Sequence, residues 1–425
     1  MEELMQYVWR HRLWAVGELT THDGLPVTVI DVGQQNRDAG PDFFNAKVRI
    51  GTEMWCGNVE IHVRASDWRR HGHDCDKAYD SVILHVVEHD DCPIYATDGR
   101  LIPQVTLKCA RDFSARYAAF VGNPANTLAC AAELNSVSPV MMRDWLDSLA
   151  FERLYAKVDA IRERLDRCTG DWEQAAFVTL ARALGAGING DAFERVAQSL
   201  PLRLLHKHSD SLLSLEAMIF GQAGLLECEP TDGYVSQLQQ EYDFLAVKFG
   251  LKRPRDIVWR MSRMRPASFP HRRLAALAAM CHGGFRLLQS ILSIDDEQQA
   301  RVLFLVDLTG YWTTHNNFHN PVAVNPRAFG KSTVDMLIIN VVAPLLMAYG
   351  AYVGDESQGV RAVDLLEHLP GENNRFTADF VRAGVACPNA FVSQAMVQLH
   401  KNYCDVRKCL YCRLGHRFLA SRVKP

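Results

Sequence analysis

Two runs of strand-forming residues, 43–50 and 54–64, are separated by the turn pair Gly51-Thr52, and 81–87 follows as a near-continuous apolar run. The first two read as a hairpin. The third lacks polar alternation, as expected of a strand covered on both faces. A chain with such strands must bury both sides of a sheet, which restricts it to architectures with helices packed on that sheet.

The flanking segments agree. Residues 2–14 space Leu4, Met5, Val8, Trp9 and Leu13 for a helix. Residues 27–32 are rich in β-branched side chains and predict another strand. Residues 66–80 are polar, with room for a short helix, and Thr97-Asp98-Gly99-Arg100 marks a turn leading to a hairpin arm at 105–107. From Pro139 the spacing becomes helical: 140–165, 173–184, 191–200, 212–225, 234–249, 334–349, 376–385 and 389–400. The expected class is α/β, with a mixed sheet core in the order αβββαβ followed by a large all-helical domain. The expected division is 1–125 and 126–425, joined near Asn123-Pro124-Ala125-Asn126.

The candidate chemistry lies on the hairpin. Glu60 and His62 are two apart on one strand, so they share a face, opposite Val59, Ile61 and Val63. Asp42 opens the neighbouring strand after Gly40-Pro41. Two carboxylates converging from adjacent strands suit a hard cation such as Mg²⁺ or Mn²⁺, which activates water and stabilises phosphoryl charge. The competing reading leaves Glu60 and His62 on a solvated edge, with Asp42 serving a turn.

With Pro41-Asp42, Glu60-Ile61-His62 and the helix-strand-strand-strand-helix-strand order, the first quarter of the chain resembles the PD-(D/E)XK nuclease superfamily. The resemblance implies a restriction-endonuclease-like fold, metal ligation by Asp42 and Glu60, and cleavage of DNA or RNA. It makes Glu18 a weaker candidate for the acidic residue such enzymes often carry early. His62 stands where the motif has Lys, so this position orients water or ligates metal and is not a permanent cation. Nearly the full length also resembles an uncharacterised bacterial domain-of-unknown-function family, through AGPDFFNAKVRI, GNVEIHVRASDW, YDSVILHVVEHD, RPASFP and YCDVRKCLYC. That resemblance implies no biochemistry.

Other residues extend or rival this site. His71, His73 and His85 follow His62 closely, with Tyr79 between them. They read as supports that orient the metal ligands, as an imidazole-rich Zn²⁺ or Fe²⁺ site of a non-nuclease metalloenzyme, or as histidines that merely pack. The formal net charge is −3, so an anion-binding surface must be local. Residues 251–273 carry +7 and residues 400–425 carry +6, which leaves the remainder at −16. Arg260, Arg263, Arg265, Arg272 and Arg273 are the candidate phosphate contacts, with Trp259 placed to stack on a base. The rival fate for these arginines is pairing with the acidic excess. A catalytically inactive nucleic-acid-binding scaffold is the remaining alternative.

Twelve cysteines are scattered over the chain, and residues 1–14 lack the pattern of a signal peptide, so the expectation is a cytoplasmic protein with free thiols. Cys404, Cys409 and Cys412 have the spacing C-x4-C-x2-C, with His416 or Cys387 as a fourth ligand. They suit a structural Zn²⁺ or an iron–sulfur cluster, or share a helix face as packed thiols. Residues 334–353 are the most apolar stretch, but Asp335, Asn340 and Pro344 favour a buried core helix over a membrane span.

Overall fold

The computed structural model describes residues 1–14, 19–36, 38–108, 115, 117–118, 120–122, 128–255, 257–262, 264, 268–319 and 321–420. The chain forms two compact units. The first comprises Met1–Met141, Arg382–Val385 and Leu399–Pro425, and the second Met142–Val381 and Ala386–Gln398. The division expected at residue 125 therefore differs at the chain's end. The segment from Leu399 returns to the first unit because Leu410 and Leu419 are buried in that unit's apolar core. The expected junction, Asn123 to Asn126, lies outside the described residues.

The first unit is built on a seven-stranded mixed sheet. Helix α1 (Glu2–Arg10) precedes β1 (Leu19–Thr20), β2 (Pro26–Asp31), β3 (Gln34–Gln35), β4 (Phe43–Ile50) and β5 (Glu53–Arg64). Helix α2 (Asp67–Arg70) and two short turns lead to β6 (Val82–His89) and β7 (Gln104–Thr106). The sheet order is β1-β2-β4-β5-β6-β7, with β3 beside β4. Strand β4 runs antiparallel to both of its neighbours, β2 and β5, while β6 is parallel to β5 and β7 parallel to β6. The expected hairpin is present, with Gly51 in the left-handed region its turn requires (φ 59°). The turn at Gly99 also forms, but residues 104–106 pair with β6 as a parallel neighbour and not as a hairpin arm.

The two faces of β5 differ as its alternation dictates. Val59 and Ile61 pack with Leu4, Met5, Val8 and Trp9 of α1 and with Leu84 and Val86 of β6. On the other side Val87 joins Ala65, Trp68, Val82, Ile94 and Ile102 in a second core. Gly57 has a packing reason: a Cβ there would run into Ile83 and lie 2.8 Å from the Ser81 carbonyl, where the β6 segment crosses β5.

The second unit is helical among its described residues. Its helices include Pro139–Arg167 (which begins in the first unit), Trp172–Leu184, Leu212–Gln222, Gly233–Phe249 and Pro270–Cys281. Several start on acceptor side chains: Asp171, Ser211, Asp232 and Asp296 each accept from the backbone N–H three residues on. The stretch Lys331–Val353 is long and apolar enough to cross a membrane, yet 61% of its most apolar window is buried inside the protein. It is interrupted by a π turn, Ile338–Val342, just before Pro344, whose ring nitrogen has no hydrogen to donate.

A candidate metal centre beside the sheet

Strand β5 places Glu60 and His62 on the face away from α1, and the parallel register sets Glu60 opposite His85. Glu60 and His62 are buried at 5% and 1% exposure. The loop carrying α2 then folds His71 and His73 back onto them. The Glu60 Oε1 atom lies 3.5 Å from His62 Nε2 and 3.4 Å from His73 Nε2, and His71 Nδ1 lies 3.2 Å from His62 Nε2. Among the described residues, His62, His71 and His73 form the group whose ligand atoms all lie within 4.8 Å of one another. His62 is enclosed, His73 nearly so, and His71 is exposed.

Each of these three separations is the length of one edge of a coordination polyhedron. Imidazole nitrogen and carboxylate oxygen bind Zn²⁺ at about 2.0–2.2 Å, which sets donors in a tetrahedron about 3.3–3.6 Å apart. A donor set of three imidazoles and one carboxylate suits Zn²⁺ or Fe²⁺ better than Mg²⁺.

The surroundings prepare these donors. Burial, then the neighbouring His73 and His71, hold His62 down to about 3, so its ring is neutral at pH 7. His62 Nδ1 lies 2.8 Å from His85 Nε2. For Nε2 of His62 to offer its lone pair, the proton must sit on Nδ1 and be donated to His85. His85 is fully buried, and burial lowers it well below the ordinary histidine value. Tyr79 stacks on His73 with ring centroids 3.8 Å apart, and Trp68 lies edge-on to both His73 and His85. Burial, then Glu60, raises the Tyr79 phenol to about 12.

Asp42 adjoins the cluster through Glu60. Its backbone N–H donates to Glu60 Oε2 at 3.0 Å. Its own carboxylate accepts from Ile61 N–H at 2.9 Å and from Gln6 Nε2 at 2.8 Å. Burial, then the charge of Glu60, pushes the Asp42 carboxyl up to about 8. Asp42 and Glu60 thus adjoin, joined by the Asp42 peptide N–H. Glu60 faces the imidazoles, with His73 3.4 Å from its Oε1 and His71 3.2 Å from His62.

Two residues of α1 belong here that sequence reasoning missed. Gln6 binds Asp42, and Glu2, one turn earlier, is half-buried with its carboxyl raised by burial and in electrostatic reach of His71, Glu60 and Asp67. The signal was their i, i+4 spacing, which puts both on one side of an otherwise apolar helix. Glu18, the early acid expected from the resemblance, lies outside the described residues.

The profile of a family described as "Protein of unknown function (DUF2851)" matches residues 2–375. The chain belongs to that family. No curated protein and no solved structure matches it. The strands and histidines of the candidate centre all fall inside the span of the DUF2851 match.

The arginines expected to touch phosphate fare differently, all of them in the second unit. Arg272 is 1% exposed and its guanidinium donates to the carbonyls of Trp312, His315, Asn325 and Arg327. Arg273 is buried against Phe329 and donates to Thr333 Oγ1. Both are internal struts, because the helix Pro270–Cys281 is buried nearly all round, and neither is presented to a phosphate. Trp259 donates to the Ala223 carbonyl and packs edge-on to Phe193, which occupies the ring expected to stack on a base. Arg260 is exposed. Arg263 and Arg265 lie outside the described residues.

The C-terminal cysteines gather in the first unit, but not with the partners expected. Cys404, Cys409 and Cys412 line one cavity with Cys130. Burial, then Cys412 and Cys409, raises the Cys130 thiol to about 12, and burial, then Cys412, raises Cys409 to about 11. His416 instead meets α1, its Nδ1 2.5 Å from Tyr7 Oη and its ring 4.4 Å from that of His11. Cys387 belongs to the second unit, beside Gly371.

Proposed function

We propose that this DUF2851 chain is a metal-dependent hydrolase acting on phosphodiester bonds. Glu60, His62 and His73 would hold the ion, and water would occupy the corner open to solvent, beside the exposed His71. The observation that carries the reading is three close contacts at one point, Glu60 Oε1 to His62 at 3.5 Å and to His73 at 3.4 Å, and His71 to His62 at 3.2 Å. Three enclosed ligands and one exchangeable corner are what a hydrolytic centre needs. A divalent ion bound there would lower the pKa of water and offset charge on a phosphoryl oxygen. Asp42 and Gln6 hold Glu60 in place through the peptide of Asp42, and His85 fixes the His62 proton.

The substrate class rests on the element order. With the two-residue strands β1 and β3 and the short β7 set aside, the order α1, β2, β4, β5, α2, β6 supports the αβββαβ series that the resemblance implies. In that reading Glu2 on α1 takes the place assigned to Glu18. A second reading keeps Mg²⁺ or Mn²⁺ between Asp42 and Glu60. Asp42 is raised by burial first and then by repulsion from Glu60, and a cation between the two would relieve that repulsion.

The test is hydrolysis of single- and double-stranded DNA and RNA, and of a chromogenic phosphodiester, with Zn²⁺, Fe²⁺, Mn²⁺ or Mg²⁺ supplied in turn. The proposal expects cleavage that His73→Ala abolishes. Cleavage that needs Mg²⁺, survives His73→Ala and is lost in Asp42→Asn supports the second reading. No hydrolysis with any ion refutes both.

A further inference from the structure

A second group of ligand-type side chains lies apart from the Glu60 centre. Cys130, Cys404, Cys409 and Cys412 line a single cavity whose walls also include Phe120 and Arg407. Cys409 and Cys412 are buried, Cys130 and Cys404 are half-buried, and none of the four is in a disulfide. Gly415 lets the final helix approach: a Cβ there would collide with the Cys409 carbonyl. Four thiols converging from separated parts of the sequence exceed what packing of a small apolar residue requires.

We infer that Cys130, Cys404, Cys409 and Cys412 hold an iron–sulfur cluster. A lone tetrahedral Zn²⁺ would draw its four sulfurs to about 3.8 Å of one another. Among the described residues, the ligand atoms gathered within 4.8 Å of one another are those of the histidine trio, so no three of these sulfurs crowd so closely. Four cysteines spread around a wider space match a cluster of several irons. The spacing agrees, because C-x4-C-x2-C offers one tight knuckle where zinc sites commonly have two. Arg407 in the wall offsets part of the thiolate charge.

The placement gives the cluster a structural task. Cys130 precedes Met141, where the chain leaves the first unit, and Cys404 follows Leu399, where it returns. A cluster bridging them closes the loop that contains the second unit. It also pins the last helix, whose His416 contacts Tyr7 of α1.

The full chain should be purified without oxygen, and iron, acid-labile sulfide and zinc measured with visible absorption and electron paramagnetic resonance after reduction. The expected result is about four irons and four sulfides per chain, with a broad sulfur-to-iron band. Cys130→Ser should lower iron by about tenfold, while Cys387→Ser and His416→Ala keep it. Stoichiometric zinc without iron overturns the inference. So does a folded wild-type chain that takes up no cluster when supplied with Fe²⁺ and sulfide, or a Cys130→Ser chain with full iron. Should Cys130→Ser fail to fold, wild-type iron content and the two retained variants decide.

Discussion

His62 sits at 1% exposure between an acid and three other imidazoles, and nothing about its place in the sequence requires that company. Strand alternation predicts that it shares a face with Glu60, and it does. Alternation cannot say that the loop after β5 returns His71 and His73 to the same point, because loop direction depends on the packing of Trp68 and Tyr79. Gln6 and Glu2 were equally hidden, since which polar face of a helix meets the sheet is a tertiary property. His85→Phe keeps the ring buried but removes the acceptor that fixes the His62 proton. Metal affinity should fall roughly 10- to 100-fold with the ligands untouched, measured by competition with a chromogenic chelator. An unchanged affinity would show that His85 only fills space.

At the scale of elements, the sheet was legible where side chains alternate or run continuously apolar: β2, β4, β5 and β6 all lie within a few residues of their expected positions. The short strand β7 reads as a hairpin arm in the sequence, because three residues carry no record of their partner. The helix Pro139–Arg167 was equally clear, as its caps and spacing are local. Charge was the misleading signal. Arginines at 272 and 273 count as basic in the sequence whether they face water or a ring of carbonyls. Arg272→Met should therefore leave several buried carbonyls without donors and destabilise the second unit by about 3 kcal/mol or more. Arg260→Ala, at an exposed position, should stay within about 0.5 kcal/mol. Urea unfolding of both variants checks the contrast, and equal small effects would contradict it. In the first unit Gly57→Ala meets Ser81 and Ile83, and should cost roughly 1–3 kcal/mol by overpacking.

Over the whole molecule, the return of the last segment to the first unit is the feature composition could least foretell. Leu410 and Leu419 look like any helical leucines until the sheet core that receives them is known. The second unit carries its own pH signature. Glu216 is buried, accepts from Tyr234 Oη at 2.8 Å, and is pushed up to about 7, chiefly by burial. The folded state then holds a proton that the unfolded state releases near 4.5. Its contribution is fully present below that lower value and is lost as pH rises toward 7. Glu216→Gln should flatten this decline and raise the thermal midpoint at pH 8 relative to wild type. A decline equally steep in the variant would remove Glu216 as its source.

The central claim is that Glu60, His62 and His73 hold a divalent ion. Calorimetric titration of the chelator-stripped chain with Zn²⁺ and Mn²⁺ tests it most directly, set against Glu60→Gln, His62→Ala and His73→Ala. One ion per chain is expected in the wild type beyond any held by the cysteines, and its loss in each of the three variants. Wild-type and variant chains that bind the same number of ions with the same affinity would contradict it.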